Sequence, residues 1–204
     1  VGGNTSGAKF NDSGSVFAVE LWNPTTGAWR EGASMTVPRN YHSIALLMLD
    51  GRVLAGGGGL CNCAADHQDS QIYSPPYLFN ADGTPAARPV ITRVPGVVEA
   101  AETLSVSATP NLSGFSIVKM SSTTHAMNTD LRYLPLNSTE NTAGEYSVTL
   151  PGNPNVLTPG YWMLFALNDQ GTPSVAKVIQ VSTQGTLTGP PSIKQMTTLS
   201  HAQN

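Results

Sequence analysis

A tyrosine and a histidine stand side by side at Tyr41 and His42, immediately before an apolar stretch of the chain. Together they offer a phenolate oxygen and an imidazole nitrogen, either of which can bind a metal ion. Neighbouring side chains on a regular strand point to opposite faces of a sheet. Both can therefore face one site only where the backbone is irregular, and the preceding Pro38 favours an irregular strand entrance.

A second histidine, His125, lies in the polar string 121–130, which is predicted to join two strands. A histidine in such a loop is usually only solvated. Placed beside Tyr41 and His42, however, it could supply a third ligand. A mixed set of nitrogen and oxygen ligands in a tetragonal arrangement favours Cu(II).

The two cysteines, Cys61 and Cys63, form a C-x-C pair. Two thiols can bind a metal, form a tight disulfide or stay free. No second pair is present to complete a structural zinc site, so a disulfide is the favoured interpretation. His67 follows in the polar string 64–69, where a solvated loop is favoured over a cation site.

The first third of the chain contains a repeat. Segments 20–24 and 71–75 align at an offset of about 51 residues, close to the kelch period of about 50. A glycine cluster precedes each copy, and Asp50-Gly51 is a strong hairpin signal between apolar runs. Residues 1–75 are therefore predicted to be the carboxyl-terminal part of a kelch-type β-propeller.

The pattern changes after a connector at residues 76–88, which is rich in turn-forming residues. Residues 89–181 contain six or seven short alternating or apolar runs, separated by turn signals such as Pro159-Gly160. This pattern predicts an immunoglobulin-like β-sandwich. The fold class is therefore all-β, and residues 182–204 are predicted to be a linker or disordered tail.

The composition supports short strands and excludes some partners. Charged residues make up 11% of the chain, and the formal net charge is −3 without a basic run, which argues against nucleic-acid binding. No apolar run reaches the ~18 residues needed to span a bilayer. Four triplets, beginning at Asn4, Asn11, Asn111 and Asn137, fit the N-glycosylation sequon and favour a secreted, extracellular protein.

Several strings of this chain, in register and over residues 1–181, resemble the galactose oxidase family of copper radical oxidases. Those strings are Arg39-Asn40-Tyr41-His42-Ser43, Asp50-Gly51-Arg52-Val53, Gly56-Gly57-Gly58-Gly59-Leu60-Cys61, Thr124-His125-Ala126-Met127-Asn128-Thr129-Asp130 and Pro159-Gly160-Tyr161-Trp162-Met163-Leu164-Phe165. Several matches in one order are far more specific than any one of them.

The resemblance implies roles for individual residues. His42 and His125 would be imidazole ligands of copper, and Tyr41 would be the axial phenolate that accepts the alcohol proton. Phe10 would line the substrate pocket. Cys61 and Cys63 resemble a pair that is bridged in the family, although one intervening residue is missing here.

The resemblance also implies a reaction, in which a primary alcohol such as the C6 hydroxyl of a galactose-like sugar becomes an aldehyde while O₂ is reduced to H₂O₂. The family stores its second electron on a tyrosine cross-linked to a cysteine, and no segment here matches that pair. We therefore expect a carboxyl-terminal fragment that is inactive alone, from a protein that is monomeric when complete. The alternatives are an aldehyde oxidase of the glyoxal oxidase type and a non-catalytic protein that binds carbohydrate or a cell-surface partner.

Overall fold

The computed structural model describes residues 1–125 and 127–182, so the predicted tail lies outside the described residues except for Ser182. The only helix in this part of the chain is a short 3-10 helix, Pro76–Leu78, and all the other regular elements are β-strands. The predicted all-β fold class is therefore confirmed. No helix within the described ranges is long and apolar enough to cross a membrane.

The amino-terminal segment, residues 1–75, forms two small antiparallel sheets. Its strands are β1 (Ala18–Trp22), β2 (Trp29–Ser34), β3 (Ile44–Leu47), β4 (Val53–Gly56) and β5 (Ser70–Tyr73). Strands β1 and β2 form one sheet, and β3, β4 and β5 form the other. Gly51 has a φ of 79° between β3 and β4, which confirms the predicted hairpin. The assignment of these sheets to kelch blades stays a prediction.

Eight strands between residues 91 and 181 form one sheet that curls into a sandwich. Its strands are β6 (Ile91–Arg93), β7 (Val97–Val98), β8 (Thr103–Ala108), β9 (Gly114–Lys119), β12 (Tyr133–Thr142), β13 (Glu145–Thr149), β14 (Gly160–Leu167) and β15 (Lys177–Val181). Their order is β6-β8-β13-β12-β9-β14-β15-β7. Strand β12 pairs with β9 through residues 133–136 and with β13 through 137–142, so it belongs to both layers.

Alternating apolar residues from both layers fill one core, as expected for strands with one buried face. Its largest fully buried side chains are Trp162, Phe115, Ile91, Leu104, Ile117 and Leu164. The Trp162 indole also donates its Nε1–H to the Thr158 carbonyl at 2.9 Å. This cluster is the largest apolar core in the described part of the chain.

The amino-terminal segment is anchored to the outer face of β14. Leu47 packs against a buried cluster that includes Met163 and Phe165. The Ala176 amide donates to the Leu49 carbonyl at 2.8 Å. A small hairpin, β10 (Thr123–Thr124) and β11 (Met127–Asn128), leaves the sandwich after β9 and lies against β3. That contact brings together the two histidine-bearing segments.

Candidate metal centre

Tyr41 and His42 lie in a turn immediately before β3, where the backbone leaves the regular strand geometry. His42 has a φ of 69°, in the left-handed region. This backbone meets the requirement set by the sequence argument, because adjacent side chains on a regular strand could not face one site. A non-glycine residue held there costs roughly 1–3 kcal/mol and is typical of functional sites.

His125 lies at the tip of the β10–β11 hairpin and also has a left-handed backbone, with a φ of 52°. Its Nδ1 lies 2.7 Å from the Thr124 hydroxyl oxygen. The hairpin therefore presents an imidazole from the sandwich towards the amino-terminal segment.

The three rings converge on one place. The His42 and His125 ring centroids lie 4.6 Å apart, and the planes are nearly perpendicular at 74°. The Tyr41 ring centroid is 3.9 Å from that of His42 and 5.7 Å from that of His125. Residues about 80 positions apart in the sequence thus meet in a single cluster, which we call the ring cluster.

The spacing within the ring cluster fits a shared metal ion. Two imidazole nitrogens about 2 Å from one ion, in adjacent positions, place their ring centroids roughly 4–5 Å apart, whereas opposite positions place them about 6 Å apart. The observed 4.6 Å matches adjacent positions. Two imidazoles and a phenol form a nitrogen and oxygen donor set that suits Cu(II).

Hydrogen bonding fixes which nitrogen of His42 is available. His42 Nδ1 lies 2.6 Å from the Gly59 carbonyl oxygen. A carbonyl only accepts, so Nδ1 carries the proton and Nε2 keeps its lone pair for a metal. A histidine that donates its other ring nitrogen to a carbonyl is the usual arrangement of a metal ligand.

Phe10 packs its ring against Tyr41, with centroids 5.5 Å apart in an edge-to-face arrangement. Phe10 is 44% exposed, so it forms an apolar rim beside the ring cluster. The Lys9 ammonium lies 5.4 Å from the Tyr41 ring centroid and adds a positive charge at the same rim. The structure therefore brings together the predicted copper-binding and substrate-binding residues, Phe10, Tyr41, His42 and His125.

Support for this site comes from residues that sequence reasoning missed. The buried Asn40 amide donates to the Ser15 hydroxyl at 2.9 Å, to Asp12 Oδ1 at 3.2 Å and to the Asn11 carbonyl at 3.3 Å. These bonds tie the segment after Phe10 to the residue before Tyr41. The only sequence signal was that Asn40 lies inside the Tyr41-His42 string.

His67 provides a second tie and corrects an expectation. Its Nε2 pairs with Asp12 Oδ2 at 2.9 Å, and its side chain is only 17% exposed. The favoured interpretation of a solvated histidine was therefore wrong, because its partner lies 55 residues earlier in the sequence. No local pattern could have identified that partner.

The cysteines follow the ring cluster along the chain. Cys61 and Cys63 are joined by a disulfide. With Asp66 they form the one group of three histidine, cysteine or acidic ligands within 4.8 Å of one another in the described part of the chain. Because both sulfur atoms are bonded to each other, they offer no thiolates for a metal, and the ring cluster remains the better candidate.

Comparison with known proteins identifies relatives among the galactose oxidases. Residues 88–181 match the family model described as a galactose oxidase-like early set domain. Galactose oxidase from Gibberella zeae is 42% identical over 183 residues, covering 89% of this chain and 27% of that protein. Aldehyde oxidase GLOX1 from Arabidopsis thaliana is 30% identical, covering 86% of this chain and 33% of that protein.

Among solved structures, one relative is described as a novel fungal alcohol oxidase with catalytic diversity among the AA5 family, in complex with copper. It superposes with a TM-score of 0.82 at 41% identity, covering 86% of this chain and 38% of the other. The chain thus spans about a quarter to two fifths of the length of these relatives. The predicted immunoglobulin-like domain is confirmed by the early set match.

Proposed function

Because the chain belongs to the galactose oxidase family, we propose that Tyr41, His42 and His125 are copper ligands of an alcohol oxidase. The whole protein would convert a primary alcohol to an aldehyde and reduce O₂ to H₂O₂. One observation carries the proposal: three ring side chains from two separate regions converge within 5.7 Å of one another. His42 and His125 also both have left-handed backbones, which is a feature that clusters at functional sites.

The ring cluster has the donor set that copper requires. His42 would bind through Nε2, because its Nδ1 proton is held by Gly59. His125 would complete the nitrogen pair, and the Tyr41 phenol oxygen would be the third ligand. Bound copper supplies a one-electron Cu(II)/Cu(I) couple for the reaction.

The residues around the ring cluster would handle the substrate and its proton. Tyr41 Oη accepts the alcohol proton, and Phe10 provides an apolar wall that orients the carbon chain next to it. Two electrons and two protons leave the alcohol, and O₂ takes up the two electrons and the two protons to form H₂O₂. A galactose-like C6 hydroxyl is the substrate that we favour.

The second electron requires a further redox group, which we place outside this chain. Both cysteines of the sequence are joined to each other, so neither can form a thioether with a tyrosine. The chain covers 27% of the Gibberella galactose oxidase, which leaves ample sequence for a Tyr–Cys cofactor elsewhere in the whole protein. The chain alone should therefore bind copper without turning over.

A second candidate is an aldehyde oxidase of the glyoxal oxidase type. It is favoured by the similarity to plant aldehyde oxidases, such as one from Vitis pseudoreticulata that is 36% identical over 162 residues. The higher identity to galactose oxidase favours the alcohol oxidase. The donor set of the ring cluster, two imidazoles and a phenol, favours a copper enzyme over a non-catalytic carbohydrate-binding protein.

The cellular setting follows from the same proposal. A disulfide persists in oxidising environments, so we propose that the protein is secreted. Its partners would be the alcohol and O₂, with neither nucleic acid nor a membrane, and the whole protein would act as a monomer.

The test is a copper titration of the chain with competing chelators and electron paramagnetic resonance. Wild type should bind one Cu(II) with nitrogen hyperfine structure, and His125→Ala should bind it at least about a hundredfold more weakly because a ligand is lost. The matched control is His67→Gln, which removes an imidazole outside the ring cluster and keeps a donor for Asp12. Equal affinity in all three proteins would reject the copper site.

The missing redox group is tested separately by peroxide formation. The copper-loaded chain, given galactose and O₂, should show no sustained production of H₂O₂. Sustained turnover would contradict our placement of the second redox group in the rest of the protein.

A further inference from the structure

The loop that follows the ring cluster folds around one carboxylate. Asp66 Oδ1 accepts N–H bonds from Leu60 at 2.5 Å and Cys61 at 2.8 Å, and Oδ2 accepts from Asn62 at 2.8 Å. These N–H groups, that of Cys61 first, hold the pKa of the Asp66 carboxyl below its usual range. Leu60 and Asn62 both have positive φ values, so the loop depends on these bonds to keep its shape.

The loop begins at Gly59, which touches both halves of the Tyr41-His42 pair. Its amide donates to the Tyr41 carbonyl at 2.8 Å, and its carbonyl accepts the His42 Nδ1 proton. Gly59 has a φ of 81°, and a Cβ there would lie 2.3 Å from Asp66 Oδ1 and from the Ala65 carbonyl. Asp66 therefore packs directly on the peptide that orients His42.

We propose that Asp66 is a positioning residue for His42. By collecting the N–H groups of residues 60–62, its carboxylate fixes the Gly59 peptide plane, and the Gly59 carbonyl then fixes the tautomer and ring orientation of His42. Mutation of a residue that orients a ligating histidine typically weakens metal affinity by about 10–100-fold. The expected effect of Asp66 on copper affinity rests on the proposed function. Its expected effect on the tautomer of His42 does not depend on that function.

A direct metal role for Asp66 is the competing interpretation, since it lies near the sulfur atoms of Cys61 and Cys63. Both of its oxygens already accept N–H bonds, and both sulfurs are in the disulfide. A cation there would have to displace the bonds that hold the loop. The contacts therefore favour an indirect role through Gly59.

The first test needs no metal. Nitrogen-15 NMR of the metal-free chain should show His42 as a single tautomer protonated at Nδ1, and Asp66→Ala should give a mixture of tautomers. The matched control is Asp82→Ala, which removes an exposed aspartate that also accepts a backbone N–H, that of Thr84, in a separate turn. An unchanged His42 tautomer in Asp66→Ala would overturn the proposal.

The second test uses copper(II) chloride in competition with a chelator. Asp66→Ala should weaken binding about 10–100-fold and broaden the nitrogen hyperfine structure. Asp66→Asn should recover part of the affinity, because its amide oxygen can still accept two of the N–H bonds. Urea unfolding is the folding control: a variant whose sandwich unfolds at the same urea midpoint as wild type is still folded.

The outcomes separate this inference from the proposed function. If wild type fails to bind copper, the proposed function fails and the tautomer measurement still decides the role of Asp66. If wild type binds copper and both Asp66 variants bind it equally well, the positioning role is overturned and the copper site stands.

Discussion

The sandwich holds the larger apolar core, whereas the amino-terminal segment holds two of the three proposed copper ligands. The sandwich encloses one large apolar core, in which Trp162, Leu164 and Ile179 are fully buried. The amino-terminal segment has a small core of Val19, Met35 and Ala55. Each large apolar side chain that is fully buried stabilises the folded state by about 1.5–3 kcal/mol. The sandwich, which buries more of them, therefore contributes most of the free energy of unfolding.

The proposed metal centre lies where the backbone departs from regular strand geometry. His42 and His125 have left-handed backbones, and so do Leu60 and Asn62 in the loop that supports His42. Of the three proposed ligands, Tyr41 and His42 come from the amino-terminal segment, and His125 comes from the hairpin that leaves the sandwich. A domain with a large core that carries one proposed ligand on a hairpin would thus stabilise a site whose other proposed ligands lie in a segment with a smaller core.

The largest expected effect tests the stability of the sandwich. Trp162→Ala removes a fully buried indole and should destabilise the chain by about 3–5 kcal/mol, because a cavity forms and the Thr158 carbonyl loses one of its two donors. Urea unfolding followed by circular dichroism measures this loss.

Its control is Trp22→Ala in the amino-terminal segment, where the side chain is 55% exposed. That variant should change the free energy of unfolding by less than about 1 kcal/mol. Equal losses in the two variants would show that the two regions share stability more evenly than their cores indicate.

A medium effect is expected at Asn40, which connects the Phe10 segment to Tyr41. Asn40→Ala leaves Asp12 Oδ1, the Ser15 hydroxyl and the Asn11 carbonyl without that donor. The cost should be about 1–3 kcal/mol, because a buried network loses its centre. Urea unfolding gives the free energy, and Asn141→Ala, at an exposed amide in the sandwich, is the control. A neutral Asn40→Ala would mean that the network adds no stability.

The smallest effect concerns the junction between the two regions at alkaline pH. Burial raises the pKa of Tyr77 to about 12, although Arg88 opposes that shift. The raised pKa contributes stability that is present below the ordinary value of 10.0 and is lost as the pH rises towards 12. Its neutral hydroxyl donates to the Gly51 carbonyl in the amino-terminal segment.

Tyr77→Phe should therefore be slightly less stable than wild type at pH 7 and should lose less stability between pH 10 and 12. Thermal unfolding across this range measures both. Tyr133→Phe, at a 60% exposed tyrosine of the sandwich, is the matched control. If the stability of wild type and of Tyr77→Phe falls in parallel between pH 10 and 12, the raised pKa of Tyr77 does not contribute to the stability of the junction.

The sequence by itself determined the all-β class, the change of pattern near residue 89 and the residues that could bind a metal. Strands and hairpins leave local signals, such as alternating apolar residues and the Asp50-Gly51 turn, because their geometry repeats over a few positions. Resemblance added the pairing of His42 with His125, which no local pattern contains.

Only the tertiary structure decided how these residues are held. Asn40 and Asp12 are 28 positions apart, and Asp12 and His67 are 55 apart, yet they form one network. Likewise, Asp66 acts on His42 only through the Gly59 peptide. Periodicity reports which face of a strand is buried, whereas such contacts depend on where turns with positive φ place the chain in three dimensions.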